Sequence, residues 1–268
     1  MLSVVLRTID PRHALKVPSS AFAKGVTHEA VFAKGLPKKM ENAAKSSAID
    51  RALPFLCAVI LPRFALADTA PAWPDTFLAR VEALAVVETL NAALLAARSA
   101  TFTLDKWCAD HKLSGETKIR ARLVREVVKP ITQEQRHRLQ IDDSEPVKYR
   151  HVELGCGDRV LSEADNWYVP SRLTAEINRL LETTDIPFGR AVADLKPFRQ
   201  TFAAEILWRP LDDGWEQRAP MADHPELTLE IAPKLFEHRA LLYTPDNKPI
   251  AEVDEIYTRE NLAFAPPR

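Results

Sequence analysis

Glycine is scarce in this chain: its 268 residues include only 7 glycines, against 20 prolines. The glycines do not cluster, and neither G-x-G-x-x-G nor G-x-x-x-x-G-K-S/T occurs. Loops that cradle phosphates need closely spaced glycines, because only glycine lets the backbone approach the ligand so tightly. A dinucleotide-binding fold and a P-loop nucleotide-binding protein are therefore not expected.

The chain also has few cysteines, no excess of either charge and no long apolar run. Its three cysteines are too few for a four-thiolate zinc site, and its seven histidines show no metal-ligand spacing. The 36 basic and 37 acidic residues give no electrostatic reason to bind nucleic acid or an anionic membrane. No apolar run reaches the roughly 18 residues of a transmembrane helix. We therefore expect no metal, no cofactor, no nucleic-acid partner and no stable membrane insertion.

An apolar run near the N-terminus has the pattern of a secretory signal peptide. Residues 52–61 are apolar, basic residues precede them, and residues 65–67 follow as a small-x-small end. A buried N-terminal helix is the alternative, but Pro54 and Pro62 interrupt it. Arg63 counts against a signal, because it stands where the apolar region would continue. The pattern predicts a signal that is cleaved at the end of this segment.

This signal divides the chain into two parts. Residues 1–67 form an N-terminal extension with the signal-like segment at about 45–67, and residues 68–268 form a single domain of ordinary size. Met40 is then the natural start of the protein. We expect a monomer that is periplasmic or secreted if the signal works, and cytoplasmic otherwise.

Hydrophobic periodicity and turn residues predict helices first and then mainly hairpin-linked strands. Gly157-Asp158 and Asp246-Asn247 mark the turns of two hairpins. The predicted helices lie at 75–97, 103–108, 132–139 and from 171, and the strands at 118–128, 147–156, 159–169, 198–208, 235–243 and 249–258, with a loop at 209–233. This order favours an α+β domain with an antiparallel sheet over a doubly wound α/β fold.

Two charged residues fall on the apolar faces of their predicted strands. Alternation places Arg150 with Val152, Leu154 and Cys156, and Glu255 with Ala251, Val253 and Tyr257, whereas Glu252 and Asp254 face the other way. An unpaired charge on such a face costs on the order of several kcal/mol, so it needs a partner. Either these charges pair inside the sheet, or Arg150 binds an anionic ligand and Glu255 acts as a general acid with a raised pKa.

We expect the other notable polar and aromatic residues at ordinary structural positions and not in a functional site. We expect the surface or a helix cap for His111, His137 and His238, the core for Trp107, Trp167 and Trp208, and a solvated strand face for Glu163 and Asp165. Cys108 and Cys156 can form a disulfide if the protein is exported, but the sequence does not give their separation.

The hairpin at residues 149–170 resembles the central hairpin of chorismate lyase (chorismate–pyruvate lyase). It has a strand led by Arg150, a Leu-x-Cys sequence before the turn, and Val-Pro at the end of the return strand. Further matches follow in the family's order over about residues 90–262, namely Ser99-Ala100-Thr101, Pro187-Phe188-Gly189-Arg190, Phe198-Arg199, Lys248-Pro249 and Glu255-Ile256-Tyr257. The order of these short motifs carries the resemblance.

The resemblance implies that helices pack on one face of the sheet and enclose a ligand cavity. It also implies a lyase that eliminates pyruvate from chorismate to give 4-hydroxybenzoate, as in ubiquinone biosynthesis, without metal or cofactor. The residues implied are Arg150 for a carboxylate, Glu255 for the hydroxyl or leaving oxygen, the Phe188 backbone for hydrogen bonds, Ala100 at the cavity mouth, and Arg199 as a further substrate-binding residue. Arg150 and Glu255 are the implied catalytic pair.

Three departures from the family pattern reshape the implied cavity. Ala100 replaces a methionine, Phe188 replaces a leucine, and the return strand is one residue longer. The fold is also similar to small-molecule effector domains of bacterial transcription regulators. A non-catalytic binding protein for a small aromatic carboxylate is therefore the alternative function.

Overall fold

The structure is a computed structural model that describes residues 72–267. The predicted extension, with its signal-like segment, lies outside the described residues, as does the proposed start at Met40. Within the described part, no helix combines the length and apolar character needed to span a membrane.

The described residues form five helices and eight strands. The helices are α1 (Phe77–Ala96), α2 (Ala100–Asp110), α3 (Gln133–Leu139), α4 (Ala175–Thr183) and α5 (Phe188–Ala191). The strands are β1 (Pro74–Asp75), β2 (Arg120–Leu123), β3 (Lys148–Cys156), β4 (Arg159–Tyr168), β5 (Phe198–Ile206), β6 (His224–Thr228), β7 (Lys234–Tyr243) and β8 (Pro249–Thr258).

Six of these strands form one antiparallel sheet in the order β2-β3-β4-β8-β7-β5. The short strands β1 and β6 pair separately. The prediction of an α+β domain built on an antiparallel sheet is confirmed. Both predicted hairpins are present as β3–β4 and β7–β8, and their turns contain Gly157 and Asn247 with φ of 58° and 62°.

Several predicted boundaries were wrong because a local signal was assigned to the wrong element. Helix α2 begins three residues before Thr103, with Ser99 as its N-cap residue. Ser171 lies in a 3₁₀ turn, and Thr174 caps α4 by accepting a hydrogen bond from the amide of Ile177. The capping box of α3, in which Thr132 and Gln135 exchange hydrogen bonds, is confirmed. Strand β2 covers only four residues in the first half of the predicted range 118–128, and the predicted loop at 209–233 contains β6.

Two apolar clusters lie on the same face of the large sheet. In one, α1 and α2 pack on residues of β3, β4 and β8; in the other, α4 and α5 pack on residues of β4, β7 and β8. Helix α3 packs on the opposite face, where Leu139 contacts a small cluster with Leu241. A site on the first face therefore has helical walls on two sides.

Cys108 and Cys156 form a disulfide with a Cα–Cα distance of 6.1 Å. Both cysteines are fully buried. The bond joins α2 to the end of β3, which answers the question that the sequence left open. It also ties the helix that begins at Ala100 to the strand that carries Arg150.

Candidate ligand-binding cavity

A cavity lies between the two apolar clusters, with the sheet as its floor. The start of α2, the start of α5 and the inner face of the sheet line it. All five residues predicted from the resemblance border it: Ala100, Arg150, Phe188, Arg199 and Glu255. Its volume is about 40 Å³, which is enough for a few water molecules and well below the roughly 150 Å³ that accommodates benzene in an engineered cavity. This conformation fits the carboxylate end of a ligand and not a whole aromatic ring.

A wider groove of about 440 Å³ lies directly outside the cavity. The two share Arg98, Ser99 and Gly189, so these residues form the mouth between them. The groove is lined mainly by apolar groups, among them Phe102 and Pro197. A ligand with a small polar head and an apolar body would place the head in the cavity and the body in the groove.

Arg150 is buried on the inner face of β3 and has no acidic partner among residues 72–267. Only 6% of the residue is exposed. One guanidinium nitrogen, Nη2, donates to the carbonyl oxygen of Ile186 at 3.3 Å, while Nε has no partner in the described part. Burial lowers the pKa of Arg150 from its usual value. A buried cation of this kind is costly until an anion pairs with it.

Glu255 pairs with Arg199 rather than with Arg150. The Arg199 guanidinium donates to Oε2 of Glu255, and the hydroxyl of Tyr257 donates to the same oxygen at 3.0 Å. Burial acts to lower the pKa of Arg199, but the charges of Glu255 and Tyr257 and the hydrogen bonds to them together outweigh burial, so the net shift of the pKa is upward. Because two donors already point at Oε2, the Glu255 carboxyl group is placed as a hydrogen-bond acceptor, which does not fit the predicted role of proton donor.

Unsatisfied polar atoms are concentrated in this cavity. Eight buried side-chain atoms of the described residues lack a hydrogen-bond partner, and four of them belong to cavity residues: Ser99 Oγ, Arg150 Nε, Asn166 Oδ1 and Arg199 Nη2. Buried polar groups in native proteins are nearly always paired, and an exception needs a cause such as a bound ligand. Donors and acceptors from α2, β3, β4 and β5 converge here on one small space.

The start of α5 closes the cavity on its helical side. Gly189 lies so close to α2 that an added Cβ would come within 2.6 Å of Ser99 Oγ and 2.8 Å of Thr101 Oγ1. The backbone amides of Phe188 and Gly189 donate to no other described residue. This geometry fits the implied use of the Phe188 backbone for hydrogen bonding.

His238 lies next to the site, and its predicted surface position was wrong. It is fully buried in β7 opposite Glu255, and its Nε2 lies 2.8 Å from Asn91 Oδ1. Burial and the neighbouring charge of Arg199 lower its pKa to about 4. The imidazole is therefore neutral near pH 7 and adds no charge beside the cavity.

The opposite face of the sheet carries a separate set of polar contacts. Asp165 is buried rather than solvated, and contacts Lys129, Tyr149 and His151. Glu252 is also buried there, where Arg138 of α3 donates to both its oxygens at 2.7 and 2.8 Å. These residues do not line the cavity. Across residues 72–267, no three His, Cys, Asp or Glu side chains are placed together as a metal site.

No protein-family model matches this chain. The chain is 50% identical over 196 residues to the uncharacterized protein y4mC of Sinorhizobium fredii, a match that covers 73% of this chain and 83% of that protein. The chain belongs to the y4mC family. This relative is uncharacterized, so the likeness to it assigns no activity to the cavity.

Solved structures offer only distant likenesses. The possible transcriptional regulator YydK from Bacillus subtilis is 16% identical with a TM-score of 0.35, and the match covers 56% of this chain and 62% of YydK. PhnF from Mycobacterium smegmatis is 14% identical with a TM-score of 0.39, over 65% of this chain and 69% of PhnF. The effector domain of PhnF is 13% identical with a TM-score of 0.37, and the match covers 60% of this chain and 88% of that domain. At these TM-scores the likenesses do not assign a function to this member of the y4mC family.

Among the cavity residues that the sequence did not predict, Asn166 and Ser99 each have a buried oxygen without a hydrogen-bond partner in the described part of the chain. Asn166 is 3% exposed and lies opposite Arg150 across β3 and β4, and Ser99 occupies the N-cap position of α2 at the mouth without a side-chain capping hydrogen bond. Asn166 shares its strand face with the buried residues Ala164 and Tyr168, so alternation alone could have singled it out as a buried amide. Ser99 was recognised only as part of a sequence motif, because the burial of its Oγ depends on how closely Gly189 of α5 packs against it.

Proposed function

We propose that this protein binds a small carboxylate, with the carboxylate in the cavity and an apolar or aromatic body in the outer groove. The observation that carries the proposal is Arg150, a buried guanidinium without an acid partner among the described residues. A carboxylate would take up its planar fork and supply the missing negative charge. The partnerless atoms of Asn166 and Arg199 support a polar ligand at the same place.

A chorismate lyase is the second candidate function. It is favoured because the residues implied by the resemblance, from Ala100 to Glu255, all border one cavity. It is less well supported than binding, because Glu255 is already engaged by Arg199 and Tyr257 and is poorly placed to protonate a leaving oxygen. The volume of the cavity also leaves little room for chorismate in this conformation.

One experiment separates the two candidates. The full-length chain is titrated with 4-hydroxybenzoate by calorimetry and, separately, incubated with chorismate while 4-hydroxybenzoate formation is followed. We expect saturable binding and no product above the uncatalysed background. Turnover that disappears in Arg150→Ala would instead establish the lyase. Absence of both binding and turnover would contradict both candidates.

We further propose that residues 68–268 act as a single exported domain. The buried disulfide between Cys108 and Cys156 supports export, because disulfides persist mainly in oxidising compartments. Expressed with its own N-terminus in a Gram-negative host, the chain should be cleaved near Ala67 and recovered from the periplasm. N-terminal sequencing of the soluble protein provides the measurement. Intact residues 50–67 on a cytoplasmic protein would refute the export proposal.

A further inference from the structure

Three charged side chains define the inner part of the cavity. Arg150 and Arg199 contribute two positive charges, and Glu255 contributes one negative charge, which leaves one positive charge in the buried space. Arg98 is the other charged lining residue. It is exposed at the mouth, where it donates to the carbonyl oxygens of Lys196 and Pro197, and solvent screens it.

The neighbouring titratable groups do not alter this balance near pH 7. Tyr257 is fully buried, and burial raises its pKa well above the usual value, so it remains a neutral donor to Glu255. His238 is neutral for the reason given above. Among the described lining residues, the remaining polar groups are amides and hydroxyls, which accept or donate hydrogen bonds without adding charge.

We infer that Glu255 determines which ligand charge the cavity prefers. Because Glu255 neutralises Arg199, the cavity keeps one net positive charge and selects a monoanion over a dianion. This inference rests on the proposed function and gives Glu255 a role in specificity. A second negative charge next to the first would face the Glu255 carboxylate in a space with little water. Such like-charge contacts are strongly unfavourable when they are desolvated.

A matched pair of ligands tests the inference on the full-length chain. Salicylate and phthalate share a ring with two ortho substituents but carry one and two negative charges near neutral pH. Measured by calorimetry, the native chain should bind salicylate at least about 10-fold more tightly than phthalate. Glu255→Gln removes the carboxylate charge and keeps the shape of the side chain. The ratio of the affinity for salicylate to the affinity for phthalate should therefore fall by about 10-fold or more in this variant.

A charge-restoring variant provides the control. The double variant Arg199→Gln with Glu255→Gln again leaves one positive charge, on Arg150, and should regain the preference for salicylate. A native chain that binds both ligands equally would overturn the inference, even if Glu255→Gln did not fold. An unchanged ratio in a folded Glu255→Gln would overturn it as well. If neither ligand binds the native chain, the proposed function itself fails, whereas equal binding of both leaves that function standing.

Discussion

Replacing Arg150 with alanine should abolish carboxylate binding by this protein. The side chain is the buried cation of the cavity that has no acid partner among the described residues. Removing a buried, hydrogen-bonded partner of a charge costs on the order of 2–5 kcal/mol, or roughly 30-fold to several thousandfold in affinity. Arg150→Lys keeps the charge but loses the planar fork, so binding should weaken strongly without vanishing. Calorimetric titration with 4-hydroxybenzoate measures both effects.

The stability of the same variants provides an independent readout. Without ligand, the native chain holds an uncompensated buried charge, so Arg150→Met, which keeps much of the side-chain volume, should unfold at the same or a higher urea concentration. Arg122→Ala on the adjacent strand β2 is the matched control, because its side chain is 71% exposed, and it should bind like the native chain. Normal binding by folded Arg150→Ala would show that the arginine is not the carboxylate receptor.

The sequence was sufficient to place Arg150 and Glu255 on the correct face of the sheet. Strand alternation is a local property, and both hairpins are defined by short turns, so the register of β3–β4 and β7–β8 follows from residues close in the chain. The same reasoning placed Glu252 and Asp254 on the opposite face. It could not show that Glu252 is buried there, because this depends on where α3 packs.

The pairing of charges could not be predicted, because it is a non-local property. Arg199 and Glu255 are 56 residues apart and meet because β5 and β8 flank β7 in the sheet. The sequence left open whether Glu255 would pair with Arg150 or with another cation, and that choice decides which arginine is available to a ligand. His238 was misplaced for the same reason, since Asn91 of α1 supplies its hydrogen bond across the core.

The buried pair of Arg199 and Glu255 leads to a second large effect, this time on stability. Arg199→Met should lower the free energy of unfolding by about 3–5 kcal/mol, because it leaves the Glu255 carboxylate buried without its cation. Urea unfolding of the ligand-free protein measures this loss.

Removing both charges together should restore most of that stability. In the double variant Arg199→Met with Glu255→Leu, no charge of the pair remains, and apolar replacements of buried ion pairs are often neutral or stabilising. Recovery to near the native free energy of unfolding would mean that the fold does not need the pair. The function of the pair would then be in ligand binding, in agreement with the proposal that Glu255 makes the cavity prefer a monoanion. If the double variant were as unstable as Arg199→Met, Tyr257 and the surrounding core would depend on the pair for their packing, and its role would be structural.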